Sequence, residues 1–494
     1  MANYCKYYKQ QRYVSYDSGV TWQPLNEYQK GELYEYNSSD CGYEEIYRWV
    51  TMSGASDYWC SGTTKMSMEK KQISTDSGQT WSDTNPLQTR SGSTVIEANS
   101  EDCGYVPSSG YADEYLTFIP RTASSKFIFT KSVQFSLDSG NTWTTLAANT
   151  SSPSVSAGQK IMWKGTEAPS GARFWTATSN FDVEGNTMSL LYGDDFRGKT
   201  TLLSGDRTFY NLFSNNSYVV NAENMVLPAT ALTSECYEQM FRGCTSLETA
   251  PELPAMTLTD SCYINMFKDC TSLTTAMTEL PATTLTDSCY HNMFAGCTSL
   301  ATAPVLSATT LAHVSCVNMF SGCTSLTIAP ELPATTVAET CCYGMFQGCT
   351  ALTTAMSVLP ATTLVEACYE HMFSGCTSLE TAPQLPATTL AKLCYQYMFA
   401  GCTSLVTAPT LPATALTIAC YDYMFNGCSS LSSITCMANE NYPRYKDGRA
   451  VCTGSWVCGV ASSGTFTKAA NSTWEDNIYI GCDAIPDGWT VITV

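Results

Sequence analysis

Charge is scarce in this chain. Only 14% of its 494 residues are Asp, Glu, Lys or Arg, where about a quarter is usual, so solubility rests on Ser and Thr hydroxyls rather than on ion pairs. Basic charge is scarcer still. Against 44 Asp and Glu stand 25 Lys and Arg, a formal net charge of −19, and no basic run occurs. Such a surface repels phosphate backbones and anionic lipid, which argues against nucleic acid and membrane surfaces as partners. Histidine is nearly missing: His291, His313 and His371 are the three in the chain. No HExxH, P-loop or GxGxxG pattern is present, and no motif fixes a carboxylate pair at glycosidase spacing. The expectation is a non-enzymatic protein with no cofactor and no metal.

Long apolar runs are also lacking. No stretch approaches the 18 residues a membrane-crossing helix needs, so no membrane insertion is expected. The opening MANYCKYYKQQRYVS has no apolar h-region. From that the expectation is either a leader already removed or release without an ordinary signal peptide.

What is present is repetition. From about residue 206 to 436 the unit C-Y-x-x-M-F-x-G-C-T-S-L-x-T-A-P-x-L-P-A-T-T-L recurs. Its second cysteine falls at Cys244, Cys270, Cys297, Cys323, Cys349, Cys376, Cys402 and Cys428, in steps of 26 or 27 residues. The longer steps follow one extra residue at AMTEL (276–280) and AMSVL (355–359). The first cysteine is at Cys236, Cys262, Cys289, Cys341, Cys368, Cys394 and Cys420, with Ser315 in its place in the fourth unit. A decayed copy (209–232) precedes the array, as the end of a stack requires.

Cys236, Met240 and Cys244 are spaced i, i+4, i+8, with Tyr237 and Phe241 as a second i, i+4 pair. That spacing predicts about two helical turns stopped by Gly243. Leu247–Leu253 then reads as a short extended segment, limited by Pro251. One helix-like and one strand-like piece per unit cannot bury a core alone. Stacked eight times at about 4.8 Å per strand, they form a solenoid about 40 Å long.

The run Met240-Phe241-Arg242-Gly243-Cys244-Thr245-Ser246-Leu247 and its seven successors resemble the BspA-like (Treponema pallidum-type) leucine-rich repeats, with Met for the usual Ala and a longer unit. The resemblance covers about 45% of the chain. It implies an α/β leucine-rich-repeat solenoid used in extracellular recognition and adhesion, as in proteins of gut Bacteroidales and their phages.

The chain has 25 cysteines. On a helix, C-x7-C places sulfurs about 12 Å apart, too far for a shared metal or an intra-unit disulfide, so buried thiols filling the core are expected. Cys316 and Cys342 share the Tyr position of adjacent units and leave one disulfide open. In an oxidising compartment Cys5 with Cys41, and Cys60 with Cys103, remain open as pairs.

A second repeat occupies the first 150 residues: SYDSGVTW (15–22), STDSGQTW (74–81) and SLDSGNTW (136–143). Asp17, Asp76 and Asp138 can bond their own downstream backbone, Gly19, Gly78 and Gly140 take positive φ, and Trp22, Trp81 and Trp143 restart a strand. This is hairpin chemistry. The motif resembles the structural Asp box of sialidases and other β-propellers. Such a propeller needs about six four-stranded blades, whereas three boxes are present, so small tandem all-β domains are expected.

The resulting organisation is Asp-box domains at 1–53 and 54–122, a sandwich-like third β-domain at 123–205, the solenoid at 206–436 and a small C-terminal cap at 437–494. The third domain should dock on the solenoid's first, decayed unit. Because framework positions hardly vary, the varying ones mark what packing does not dictate. They form a candidate ligand-binding stripe: Glu238, Gln239, Asn265, His291, Asn292, Glu370, His371, Tyr397 and Tyr423. A second row holds Asp260, Asp287, His313, Glu339, Glu366 and Lys392. The expected partner is a host-cell surface glycan or protein, with other virion proteins or a second copy as further partners. Virion tail is the expected location, and the cell surface of an adhesin is the alternative.

Overall fold

The computed structural model describes residues 46–51, 58–61, 64–74, 82–83, 89–97, 109–165, 175–202, 205–439, 452–472, 474 and 482–494. Two compact units divide between Pro107 and Ser108. The first holds an antiparallel sheet of β1 (Ile46–Thr51), β2 (Tyr58–Ser61), β3 (Thr64–Ser74), β4 (Ser82–Asp83) and β5 (Thr89–Glu97). The long β3 is its hub: Ile46 pairs with Ser74, Tyr58 with Ser67 and Ile73 with Ser82. Thus β1, from the first expected domain, shares a sheet with strands of the second. The turns around Asp17, Gly19 and Trp22 and around Asp76, Gly78 and Trp81 lie outside the described residues, as do Cys5, Cys41, Cys103 and the side chain of Cys60.

The second unit opens on a sheet built from β6 (Leu116–Pro120), β8 (Val133–Ser136), β9 (Thr144–Leu146), β10 (Ile161–Lys164) and β12 (Phe181–Asn186), with the pair β7 (Phe127–Phe129) and β11 (Trp175–Ala177) beside it. Alternation of buried and exposed residues in β7 and β8 follows the period of two that a half-buried strand imposes. Phe118, Phe127, Trp163, Trp175 and Phe181 pack ring against ring at its core. The third S-x-D-x-G-x-T-W run is the β8–β9 hairpin turn. Asp138 accepts from the Thr142 backbone and hydroxyl at 2.9 and 2.6 Å and from the Ser136 hydroxyl. Those donors, the Thr142 hydroxyl first, hold its carboxyl down at about 2. Gly140 has φ +85° and Trp143 Nε1 donates to its carbonyl.

This sheet runs directly into the array. β12 pairs in parallel with β13 (Val219–Asn221) and β14 (Met225–Val226), both in the decayed first copy. The docking expected there takes the form of shared strands.

In the array the expected helix is replaced by another element. No α-helix occurs between residues 205 and 439. The apolar run is a chain of tight turns with a left-handed residue every fourth position: Glu235 (φ +56°), Gln239 (φ +56°) and Gly243 (φ +68°) in the first unit. Backbone donors alternate. Cys236, Glu238, Met240, Arg242 and Cys244 donate three residues back within the unit. Glu235, Tyr237, Gln239, Phe241 and Gly243 donate to carbonyls of the next unit. An α-helix would spend all these N–H groups internally and rotate each fourth residue by about 40°. A period of four without drift keeps Cys236, Tyr237, Met240, Phe241 and Cys244 on one wall, each at most 1% exposed. Gly243 therefore continues the series instead of ending a helix, and the α/β class gives way to turns and short β segments.

Opposite the turn run, the strand side is reduced to single parallel bridges such as Thr249–Thr275 and Thr354–Thr381. Two-residue strands appear at β15 (Glu279–Leu280) and β16 (Val305–Leu306). The core is columnar. Phe241, Phe267, Phe294, Phe320, Phe346, Phe373, Phe399 and Phe425 stack 5.4–5.7 Å apart with planes within 7°. Each second-column thiol donates to the Phe carbonyl of the unit before it, as Cys323 does to Phe294 at 3.2 Å. Every cysteine of the array is buried and free, Cys316 and Cys342 included, so the pairing left open there does not form. Burial pushes the Cys236, Cys244 and Cys368 thiols to about 12, which suppresses the reactive thiolate.

Past residue 436 the sequence pattern fades while the backbone pattern persists. Tyr421, Tyr423, Phe425 and Gly427 donate to Cys452, Gly454, Trp456 and Cys458. β17 (Ser433–Cys436), β18 (Thr465–Lys468) and β19 (Thr490–Thr493) are parallel neighbours. The C-terminal segment thus adds two further courses to the stack, and a disulfide, Cys458–Cys482, joins them.

Candidate functional site

Three left-handed columns run along the turn side. In the eight units the third is glycine except for Asp269, and the decayed copy has Asn215 there. The second holds Gln239, Asn265, Asn292, Asn318, Gly344, His371, Tyr397 and Tyr423, with φ between +51° and +58°. Asn and Gly suit that conformation because a short polar side chain, or none, relieves the clash of Cβ with the carbonyl. His and Tyr do not relieve it, at a cost on the order of 1 kcal/mol each. Val314, Thr340 and Leu393 carry the same strain in the first column, so what sets these three rungs apart is that their rings stack at the surface.

These rungs form a ladder. His371 stacks on Tyr397 at 4.5 Å and Tyr397 on Tyr423 at 4.4 Å, each within 6° of parallel. Tyr343, from the adjacent column, closes the N-terminal end at 5.2 Å and 54°. All four rings are partly exposed. The separation is shorter than that of the buried Phe column, so the outer rings lean together.

Residues 210–327 and 339–445 match the BspA type leucine rich repeat region, in six copies. The chain carries a BspA-type leucine-rich repeat region. No curated protein matches it in sequence. A solved leucine-rich repeat protein from Bacteroides ovatus ATCC 8483 is similar over 52% of this chain and 77% of its own, at 14% identity and a TM-score of 0.23.

The stripe expected from sequence falls into three parts of this BspA-type array. At its start, Glu238 accepts from Gln239 at 2.9 Å, Gln239 accepts from Arg242 at 2.9 Å, and Gln239 also reaches the Tyr210 hydroxyl at 3.4 Å. In the middle, Asn292 donates to Asn265 at 3.1 Å, while half-burial and then Lys268 lower the pKa of His291. At the end stand Glu370, His371, Tyr397 and Tyr423 together. In the second row, Glu366 and Lys392 form an ion pair at 2.6 Å.

Glu370 lies 3.9 Å from the His371 Nε2. Burial, then Glu366, push its carboxyl up to about 7 against the opposing pull of Lys392. Between its ordinary value of 4.5 and about 7 the native chain holds a proton that the unfolded chain has released, so this group lowers stability as pH rises through that window. His371 is shifted down by burial, and its contribution falls in the opposite sense, as pH drops below 6.5. Glu370→Gln should therefore raise the melting temperature at pH 8 and leave it nearly unchanged at pH 4.5. Equal shifts at both values would show that Glu370 is not held protonated.

Three features escaped the sequence pattern. Tyr343 joins the ladder from the neighbouring column, next to the consecutive Cys341 and Cys342. Cys458 and Cys482 lie where the motif has decayed. On the strand side, a groove of about 550 Å³ is lined by Pro383, Gln384, Pro386, Pro409, Pro412 and Glu380. It lies on the same two units that carry His371 and Tyr397.

Proposed function

We propose that this protein is a non-enzymatic recognition or adhesion protein, in which the repeats form a rigid solenoid that presents the His371–Tyr397–Tyr423 ladder to a glycan or protein on a cell surface. The carrying observation is that packing residues repeat with little change while three stacked, partly exposed rings occupy a column elsewhere filled by Gln, Asn and Gly. Rings on a rigid frame lose little freedom when they engage a partner.

Two settings fit this activity. Small tandem β-domains ahead of a display module suit a phage tail or tail fibre, where other virion proteins or a second copy would also be partners. The Cys458–Cys482 bond suits an exported surface adhesin, because disulfides persist outside the reducing cytosol. Detection of the chain in purified virions supports the first; recovery from washed cell envelopes supports the second.

Labelled full-length chain is expected to bind gut bacterial cells or a glycan array. His371→Ala/Tyr397→Ala/Tyr423→Ala should weaken that binding roughly 10- to 100-fold, with an unchanged far-ultraviolet spectrum. His291→Ala should have little effect. Undiminished binding by the triple variant would remove the ladder from the interface.

A further inference from the structure

Among the described residues a ring covers one end of the ladder and none covers the other. Its inner faces are 4.4 and 4.5 Å apart and admit nothing between them. Tyr343 covers the N-terminal end. At the C-terminal end the next position in the column is Ser455, with φ +53°, and no further ring stacks on Tyr423 among the described residues. Beside it, Gly454 stands in the column position of Asp422. Its N–H donates to Asp422 Oδ1 at 2.7 Å, and a Cβ there would sit 3.2–3.3 Å from that carboxylate. Ser455 N–H is likewise held by Asp483 at 2.6 Å. Two small residues have replaced a rung and fix a carboxylate alongside.

We propose that the outer face of Tyr423 is a stacking subsite for one sugar ring of a neutral glycan, which takes the place of the missing rung with Asp422 and Ser455 at its edge. The inference rests on the recognition reading and narrows it. A pyranose offers an apolar C–H face to the ring and hydroxyls that both donate and accept. Around the subsite, Asp422 accepts, while the hydroxyls of Ser455 and the tyrosines do both. A guanidinium would stack too but only donates, leaving those hydroxyl donors unmatched. The net charge of −19 disfavours an anionic sugar. The inner rungs contribute edges and hydroxyls, not stacking faces.

The test uses full-length chain with oligomers of glucose, galactose, mannose and N-acetylglucosamine, read by saturation-transfer NMR and calorimetry, and an arginine-rich peptide as comparator. At least one neutral sugar should bind. Tyr423→Phe, which keeps the face, should stay within about threefold. Ser455→Tyr, which supplies the missing rung, should weaken binding about tenfold or more. Unchanged sugar affinity in Ser455→Tyr overturns the subsite, as does binding of the peptide but of no sugar. If no sugar binds while cell binding persists and is lost in the triple ladder variant, the subsite falls and the recognition reading stands. If cell binding is also absent, both fall.

Discussion

Phe320→Ala is expected to destabilise the array by about 3–5 kcal/mol, as aromatic truncations in well-packed cores do. Phe320 is 0% exposed and stacks on Phe294 at 5.5 Å and on Phe346 at 5.4 Å, with planes 4° and 5° from parallel. Its removal leaves two ring faces without contact. The surrounding column cannot collapse to refill the space, because each unit's position is fixed by backbone bonds to the next. In a stack coupled only between neighbours, a weak interface in the middle separates the halves. Guanidinium unfolding should therefore shift to lower denaturant and acquire a second transition. Thr324→Ala, at an exposed position of the same unit, should stay within about 0.5 kcal/mol. A single transition within about 1 kcal/mol of the parent would mean that the Phe column is not what couples the units.

Loss of the Cys458–Cys482 bond should be nearly as costly but local. The cysteines are 24 residues apart, and closing a loop of that size is worth about 3 kcal/mol. The last courses are otherwise attached by backbone bonds from Tyr421 to Gly427 and by the β17–β18–β19 ladder, whose outer strand has no further neighbour among the described residues. β19 is exposed at all four residues, and beyond it Val494 is 63% exposed. Trp456 packs on Phe466 and Trp474, and Trp489, buried in the same core, donates to Ala461. Cys458→Ser/Cys482→Ser, or treatment with a dithiol, should speed amide exchange over 452–494 and shift tryptophan emission to the red. Protection over 236–428 should persist. Unchanged exchange at the C-terminus would show that the terminal courses hold without the bond.

The inward columns were legible because a spacing of four repeats eight times, and burial is the simplest reason for such constancy. The element type was not legible. A period of four is close enough to 3.6 that hydrophobic pattern cannot separate a helix from a series of tight turns. The signal was present at the left-handed positions, where Gly243 and its successors align with an Asn-rich column four residues earlier. The Asp138 turn followed from its residues because each side chain has one local role. The last two courses were hidden because Thr453, Trp456 and Val457 replace the Tyr, Met and Phe of the unit, leaving Cys452 and Gly459 as its only remnants in the first of them. Among the candidate residues, variability alone put Glu238 and Tyr423 on one footing. What separates them is whether the side chain is satisfied by its neighbours, and that depends on contacts between units.

The alternation of N–H groups, one turned inward along the unit and the next handed to the following unit, has a genetic corollary. Duplicating or excising a whole unit restores the same parity at the junction, so the array can lengthen or shorten without a misfit. Gain or loss of a single codon between Cys236 and Cys244 would exchange the two sets of donors and uncouple the layer. The single-residue insertions the chain does carry, within 276–280 and 355–359, lie on the opposite side, where contacts of one or two residue pairs absorb a slip.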